Sequence, residues 1–195
     1  MKKEINRRIL KCFIIFLPVG ICALAAAVFL VSNTLFPVDY RKNIIETSTE
    51  YNVDPLLIAA IIFAESGYKR EIVSRAGAVG VMQLMPPTAS ETAKKHHIAY
   101  TCGSDLTDIG INIRLGTAHF SDLLEYYDRD IQKSLAAYNA GKANVPRWLD
   151  GRGKLDISKI DFPETRKYVI KTGVYYNILK NIAVVYNLNA KGIKQ

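Results

Sequence analysis

Cysteine is scarce in this chain, and its placement excludes an internal disulfide within the main folded region. Of three cysteines in 195 residues, Cys12 and Cys22 fall in an apolar N-terminal segment, which leaves Cys102 alone in the remainder. A lone thiol there reads as a small packed side chain. Histidine is equally sparse: of three, His96 and His97 are adjacent, cannot share one helical face, and so read as solvated surface rather than a metal site. There is no internal repeat and no low-complexity run. With 49% hydrophobic and 23% charged residues the chain is not disordered, and its length suits one domain plus a short extra segment.

Charge of either sign is missing from Cys12 to Val31, a run of 20 residues. At ~1.5 Å per residue, a helix of that length crosses a hydrocarbon core of ~30 Å. Pro18 and Gly20 are tolerable inside such a helix, because local adjustment re-satisfies the freed carbonyls. Residues 1–11 form a basic tail: Lys2, Lys3, Arg7, Arg8 and Lys11 against Glu4 supply half of the net charge of +8. The far side carries no charge until Asp39. By the positive-inside rule the tail is cytoplasmic, 12–35 is a single transmembrane anchor, and the rest lies outside the cell membrane. Two alternatives are weaker. A cleavable signal could end at Ala23-Leu24-Ala25, but the apolar run continues to Val31. Acylation of Cys22 wants a small preceding residue, and Ile21 stands there. The charge excess of the remainder suits an anionic polymer or surface, and equally an ordinary basic domain.

Residues 36–49, with Pro37 near their start, read as a linker, and the chain from residue 50 onward reads as predominantly helical. Asp54-Pro55 carries two helix-start signals, an N-cap carboxylate and a proline at the first helical position, with Val53 and Ile58 spaced as a hydrophobic staple. That helix should stop near Gly67. Further helices are expected from Pro87 to Lys95, over 108–127 and 130–140, and from Pro163 to Tyr186. Gly77 and Gly80, with Ala76 and Ala78, suit a turn or short hairpin.

Glu65 is the most informative residue for chemistry. From Pro55 to Ala64 there is no charge and no side-chain donor, so the helix is apolar on every side and buried. A carboxyl at the end of such a helix emerges from the core, and desolvation raises its pKa. A carboxyl kept protonated near neutral pH can donate a proton to a glycosidic oxygen.

Four ordered blocks of residues run from Glu65 toward the C-terminus. In the first, Glu65-Ser66-Gly67-Tyr68 leads to Ser74, then to Ala76-Gly77-Ala78-Val79-Gly80-Val81-Met82-Gln83-Leu84-Met85-Pro86. Asn112-Ile113 with Gly116-Thr117 is the second block, and Ala136-Ala137-Tyr138-Asn139-Ala140-Gly141, then Val145 and Trp148, the third. Pro163-Glu164-Thr165-Arg166-Lys167-Tyr168-Val169 is the fourth. Together they resemble the soluble-type lytic transglycosylases over about residues 50–180.

The resemblance implies a mainly α, goose-type lysozyme-like domain at 50–186 with a small hairpin region, followed by a C-terminal tail at 187–195. It implies Glu65 as catalytic acid, then base, on the bond between N-acetylmuramic acid and N-acetylglucosamine, closing a 1,6-anhydro ring. Ser74, Gln83, Met85, Tyr138 and Asn139 would line the cleft and hold the sugar, and Glu164 would support its N-acetyl group. Arg166 and Tyr168 would fix the last helix. His119 stands where the family often has tyrosine, a change that affects sugar contacts or the pH optimum. Neither metal nor organic cofactor is required. The implied partners are peptidoglycan glycan strands and the membrane rather than nucleic acid, with service in an envelope, secretion or DNA-transfer complex open to such an anchored enzyme. A hydrolytic muramidase and a non-catalytic wall-binding scaffold are the alternatives: the first would leave a product heavier by one water, and the second has no use for Glu65.

Overall fold

The computed structural model describes residues 2–185, and these are mainly helical. The expected tail at 187–195 and the expected helix end at Tyr186 lie outside the described residues. In chain order the α-helices are α1 (Lys2–Leu35), α2 (Val38–Glu50), α3 (Pro55–Glu65), α4 (Pro86–His96), α5 (Ile109–Tyr126), α6 (Ile131–Ala140) and α7 (Pro163–Val185). From α3 onward the boundaries fall within two residues of those expected from the sequence.

Helix α3 is the centre of the domain. The Asp54 carboxylate accepts a hydrogen bond from the Leu56 amide at 2.9 Å, and Pro55 supplies the first helical residue. Leu57 through Ile62 and Ala64 are all buried. Each of its leucines and isoleucines contributes about 1.5–3 kcal/mol by leaving water. The helix packs chiefly against α7 and also against α2 and α1. Helices α5 and α6 start on the same device, with the Asp108 and Asp130 side chains accepting from Ile111 and Lys133 amides.

The linker expected at 36–49 is instead helix α2, and the folded unit begins at the end of α1 rather than at residue 50. The reason is periodicity masked by polarity. Tyr40, Ile44, Thr47 and Ser48 recur at i, i+4, i+7 and i+8 and are buried, but three of the four carry hydroxyls. The Thr47 hydroxyl satisfies itself on the Asn43 carbonyl at 2.8 Å and lies 3.4 Å from the Thr117 hydroxyl of α5. Ser32, Asn33 and Thr34 lie in the last turn of α1.

Residues 73–84 form the small hairpin region, with Val79 bridged to both Val73 and Leu84. Gly80 is held at φ +82°, and a side chain there would strike the Leu106 carbonyl and the Asn112 amide. Asn112 of α5 fastens this region: its oxygen accepts from the Met82 amide (2.8 Å), and its nitrogen donates to the Val79 and Leu106 carbonyls (3.0 and 2.9 Å). Gly116 lets Met82 pack directly on the α5 backbone.

Candidate active site

Glu65 is the last residue of α3, and the chain turns away immediately after it. Gly67 takes φ +59°, and the Ser66 hydroxyl donates to the Val81 carbonyl at 2.8 Å, tying the helix end to the hairpin. The Glu65 side chain is half-buried. Burial raises its pKa to about 7, and the Tyr168 hydroxyl and the Lys171 ammonium act against that rise while the Glu164 charge adds to it. The influence of Glu164 is the weakest of the four, as expected of an exposed carboxylate screened by water. A carboxyl titrating near 7 can give a proton and take one back at the same pH.

Helix α7 supplies the surroundings of Glu65. Its Lys171 ammonium donates to the Ala64 carbonyl at 2.6 Å, and its Tyr176 hydroxyl donates to Asp54 Oδ2 at 2.7 Å. The two bonds clamp opposite ends of α3. Past the Lys171 bond, the Tyr168 hydroxyl is buried and makes no fully formed hydrogen bond, yet approaches Glu65 closely enough to favour the carboxylate. The neighbouring Thr172 hydroxyl is likewise buried without a partner. A buried hydroxyl without a full partner costs about 1–3 kcal/mol.

A cavity of about 780 Å³ opens beside this point. Among its lining are four of the residues expected from sequence: Met85, His119, Tyr138 and Asn139. Tyr138 is the floor. Its hydroxyl donates to the Met82 carbonyl at 2.8 Å, and its ring lies 5.8 Å from Phe120 and 5.5 Å from His119. Its charge couples to that of Glu65, which links the cavity to the acid. The Asn139 oxygen accepts from the Thr165 hydroxyl at 2.7 Å, next to Glu164 at the start of α7. Met85 is 39% exposed, an apolar surface at the cavity rim of the kind that takes the face of a sugar ring. A volume of several hundred Å³ is ample for a small ligand or sugar unit.

The remaining expected residues sit differently. Glu65, Ser74, Gln83 and Glu164 do not line this cavity. The Ser74 hydroxyl accepts from the Ala78 amide at 3.0 Å and so closes the first turn of the hairpin. The Gln83 amide nitrogen donates to the Ile72 and Gly80 carbonyls at 3.1 and 2.8 Å. Its nitrogen therefore holds the hairpin, and Gln83 itself adopts φ +47° to do so.

Residues 42–161 match the family described as Transglycosylase SLT domain. The chain belongs to that family. A putative soluble lytic murein transglycosylase of Haemophilus influenzae is 38% identical over 138 residues, which are 67% of this chain and 23% of that protein. Membrane-bound lytic murein transglycosylase C of Photorhabdus laumondii is 34% identical over 117 residues, covering 55% of this chain and 33% of its own. Among solved structures, an inactive mutant of the lytic transglycosylase Slt from Pseudomonas aeruginosa superposes with a TM-score of 0.71 at 32% identity, over 78% of this chain and 25% of that one. The chain thus spans a quarter to a third of the length of these relatives.

Beyond the matched residues, sequence reasoning gave Tyr168 a purely mechanical role and passed over Lys171. Tyr168 faces Glu65 instead, while Arg166 does anchor the start of α7 by donating to the Ser158 and Ile160 carbonyls. A lysine seven residues past Glu164 reaches the Glu65 end of α3 only because α7 lies along it, so no local signal points to Lys171. Two surface readings also change. His96 is half-buried and holds Asp122 with its Nε2 3.1 Å from each oxygen, edge-on to Tyr51. Cys102 is exposed rather than packed, with its sulfur 2.9 Å from the Ser104 hydroxyl at the start of the 3₁₀ turn Gly103–Thr107. His119 fills the place of the frequent tyrosine, and burial lowers its pKa so that it is neutral at pH 7.

Proposed function

We propose that the chain is a membrane-anchored lytic transglycosylase that cleaves the β-1,4 bond between N-acetylmuramic acid and N-acetylglucosamine in peptidoglycan. The observation that carries this is one carboxyl, Glu65, held near pH 7 and coupled to Tyr138 of a sugar-sized cavity; Glu91, Asp122 and Glu125 also line that cavity, but none of them is among the groups that act on Glu65. A two-carboxylate glycosidase needs a second, committed nucleophile or base. The other carboxylate in range, Glu164, is exposed and acts only weakly on Glu65. One acid suffices if the substrate supplies the nucleophile.

Protonated Glu65 gives its proton to the glycosidic oxygen as the C1–O bond breaks. The carboxylate formed, favoured by Tyr168 and Lys171, then takes the proton of the muramoyl C6 hydroxyl as that oxygen bonds to C1. The 1,6-anhydro ring closes, the proton is back on Glu65, and no water is consumed. Tyr138, His119, Met85 and Asn139 would hold the ring on which this occurs, and Ser74, Gln83 and Glu164 would frame it from the hairpin and the start of α7.

The apolar segment Leu17–Leu35 fits a single membrane span, with the N-terminus cytoplasmic and the domain outside. Its side chains, among them Leu17, Ile21, Leu24 and Phe29, are exposed around the helix, an arrangement that needs lipid. The test is product mass. The full chain in detergent, given purified peptidoglycan, should release fragments ending in anhydro-muramic acid, lighter by one water than hydrolysed ends, and Glu65→Gln should release none. Fully hydrolysed ends would replace this reading with a muramidase.

A further inference from the structure

The apolar helix does not end in a tether. Helix α1 continues to Leu35, and Leu35 and Phe36 are each 5% exposed, inside the same core as α3 and α7. The Leu35 carbonyl accepts from the Tyr68 hydroxyl at 2.8 Å. The Phe36 carbonyl accepts from Arg41 Nε at 3.0 Å, and the Arg41 guanidinium lies 5.3 Å over the Phe36 ring. From α2, the Tyr40 hydroxyl donates to the Tyr68 carbonyl at 2.7 Å, with the two rings 4.8 Å apart. The end of the membrane helix is therefore gripped by α2 and by the residues just past α3, and only Phe36 and Pro37 separate α1 from α2.

This grip fixes the height of the site. Tyr68 holds Leu35 and is three residues from Glu65, and three residues extend at most ~11 Å. With the tyrosine side chain added, Glu65 lies within roughly 20 Å of the last residue of α1. The whole domain, at a radius of gyration of about 15 Å, is some 40 Å across, so no part of its groove stands farther than that from the bilayer. A flexible linker of 40 residues would have added roughly 35 Å of root-mean-square reach.

We propose that this chain acts on glycan lying against the bilayer, the strands newly delivered at the membrane surface, and that wall material beyond a few nanometres is out of its reach. The proposal rests on the anchored transglycosylase reading above. It is tested with the full chain in cells whose wall carries an old label, chased for generations, and a new label from a short pulse. The parent should release anhydro-ended fragments bearing the new label in excess of its share of the wall. An insert of about 40 Gly/Ser residues between Ser32 and Asn33, adding roughly 35 Å of reach and leaving Leu35 and Phe36 docked, should release both labels in proportion to their abundance. Release of both labels in proportion by the parent overturns the proposal, and so does an insert variant that keeps the preference for new label.

A second measurement does not depend on catalysis. With Cys12 and Cys22 changed to Ser, the exposed Cys102 takes one fluorophore, and energy transfer to headgroup acceptors in liposomes reads the height of the domain. Transfer should be strong in the parent and mostly lost in the insert variant. Equal transfer in the two refutes the fixed height even if the chain proves not to be a transglycosylase. Absence of anhydro fragments together with strong, insert-sensitive transfer sinks the enzymatic reading and leaves the rigid docking standing.

Discussion

Replacing Glu65 by glutamine should stabilise the fold above neutral pH while removing activity. The carboxyl titrates at about 7 in the folded protein against an ordinary value of 4.5. Between those values the native state keeps a proton that the unfolded chain has lost, so raising the pH favours unfolding, and the loss is complete once the folded value is passed. The gap corresponds to roughly 3 kcal/mol at ~1.4 kcal/mol per pH unit, a ceiling because the side chain keeps some solvent contact. At ~2–4 °C per kcal/mol for a domain of this size, the Gln variant should melt about 6–12 °C higher at pH 8. Near pH 4.5 the carboxyl is neutral in the folded state and already half protonated in the unfolded chain, and the difference should shrink toward zero. The assay is thermal unfolding of the full chain in detergent, followed by near-ultraviolet circular dichroism at several pH values from 4.5 to 8. Every other titrating group is common to both proteins and cancels in the difference. A gap that stays constant across this range, or a variant less stable at pH 8, would refute the buried-acid argument. Wall digestion by the variant at the parent's rate would refute the chemistry built on it.

Lys171→Met removes the cation that holds the Glu65 pKa down, so the alkaline limb of the pH–rate profile should move to higher pH. The lost bond to the Ala64 carbonyl should cost ~1–2 kcal/mol of stability by urea unfolding. An unchanged limb would mean that Lys171 is only a fastener. Asn112→Ala strips two hydrogen bonds from the hairpin and one from the Leu106 carbonyl and leaves the Met82 amide unpaired, which should cost ~2–4 kcal/mol and lower activity through the displaced Met82–Met85 segment. Retained stability would show that the hairpin holds itself. His119→Tyr should change KM for glycan strands with little change in the shape of the profile above pH 7, because burial lowers the histidine pKa from its usual 6.5. A lost inflection above pH 7 in the variant would contradict that.

The chemistry-bearing parts of the sequence were legible where a local rule is strong. Asp54-Pro55 before an unbroken apolar run fixes where α3 starts, and a carboxyl at its end has few environments open to it. The four blocks placed Met85, His119, Tyr138 and Asn139 on one cavity because packing of α4, α5 and α6 brings them together. Ser74 and Gln83 show the opposite case. A serine and a glutamine in a glycine-rich stretch look free to bind sugar, yet a chain that must adopt positive φ at Gly77, Gly80 and Gln83 loses backbone partners and recruits those side chains to replace them. Helix α2 was hidden because threonine and serine occupy half of its buried face, where the Thr47 hydroxyl bonds inside the structure and the Ser48 hydroxyl is buried without a partner. What depends on helix-to-helix placement, the Lys171 and Tyr168 contacts above all, has no counterpart in sequence spacing.

The value near 7 at Glu65 is a balance, and its components decide what the residue can do. Burial alone would keep the carboxyl protonated and leave it unable to recover the C6 hydroxyl proton. The Lys171 and Tyr168 influences alone would keep it ionised and unable to protonate the leaving oxygen. Three of the four influences on it, Tyr168, Lys171 and Glu164, are carried by α7, and burial is the fourth. The acid-to-base change therefore depends on how α7 is docked along α3, by Lys171 at one end and Tyr176 at the other. Helix α7 is also the element against which α1 packs most extensively. The membrane helix and the proton balance thus rest on one shared packing surface, and a displacement of α1 has a direct mechanical route to the catalytic carboxyl.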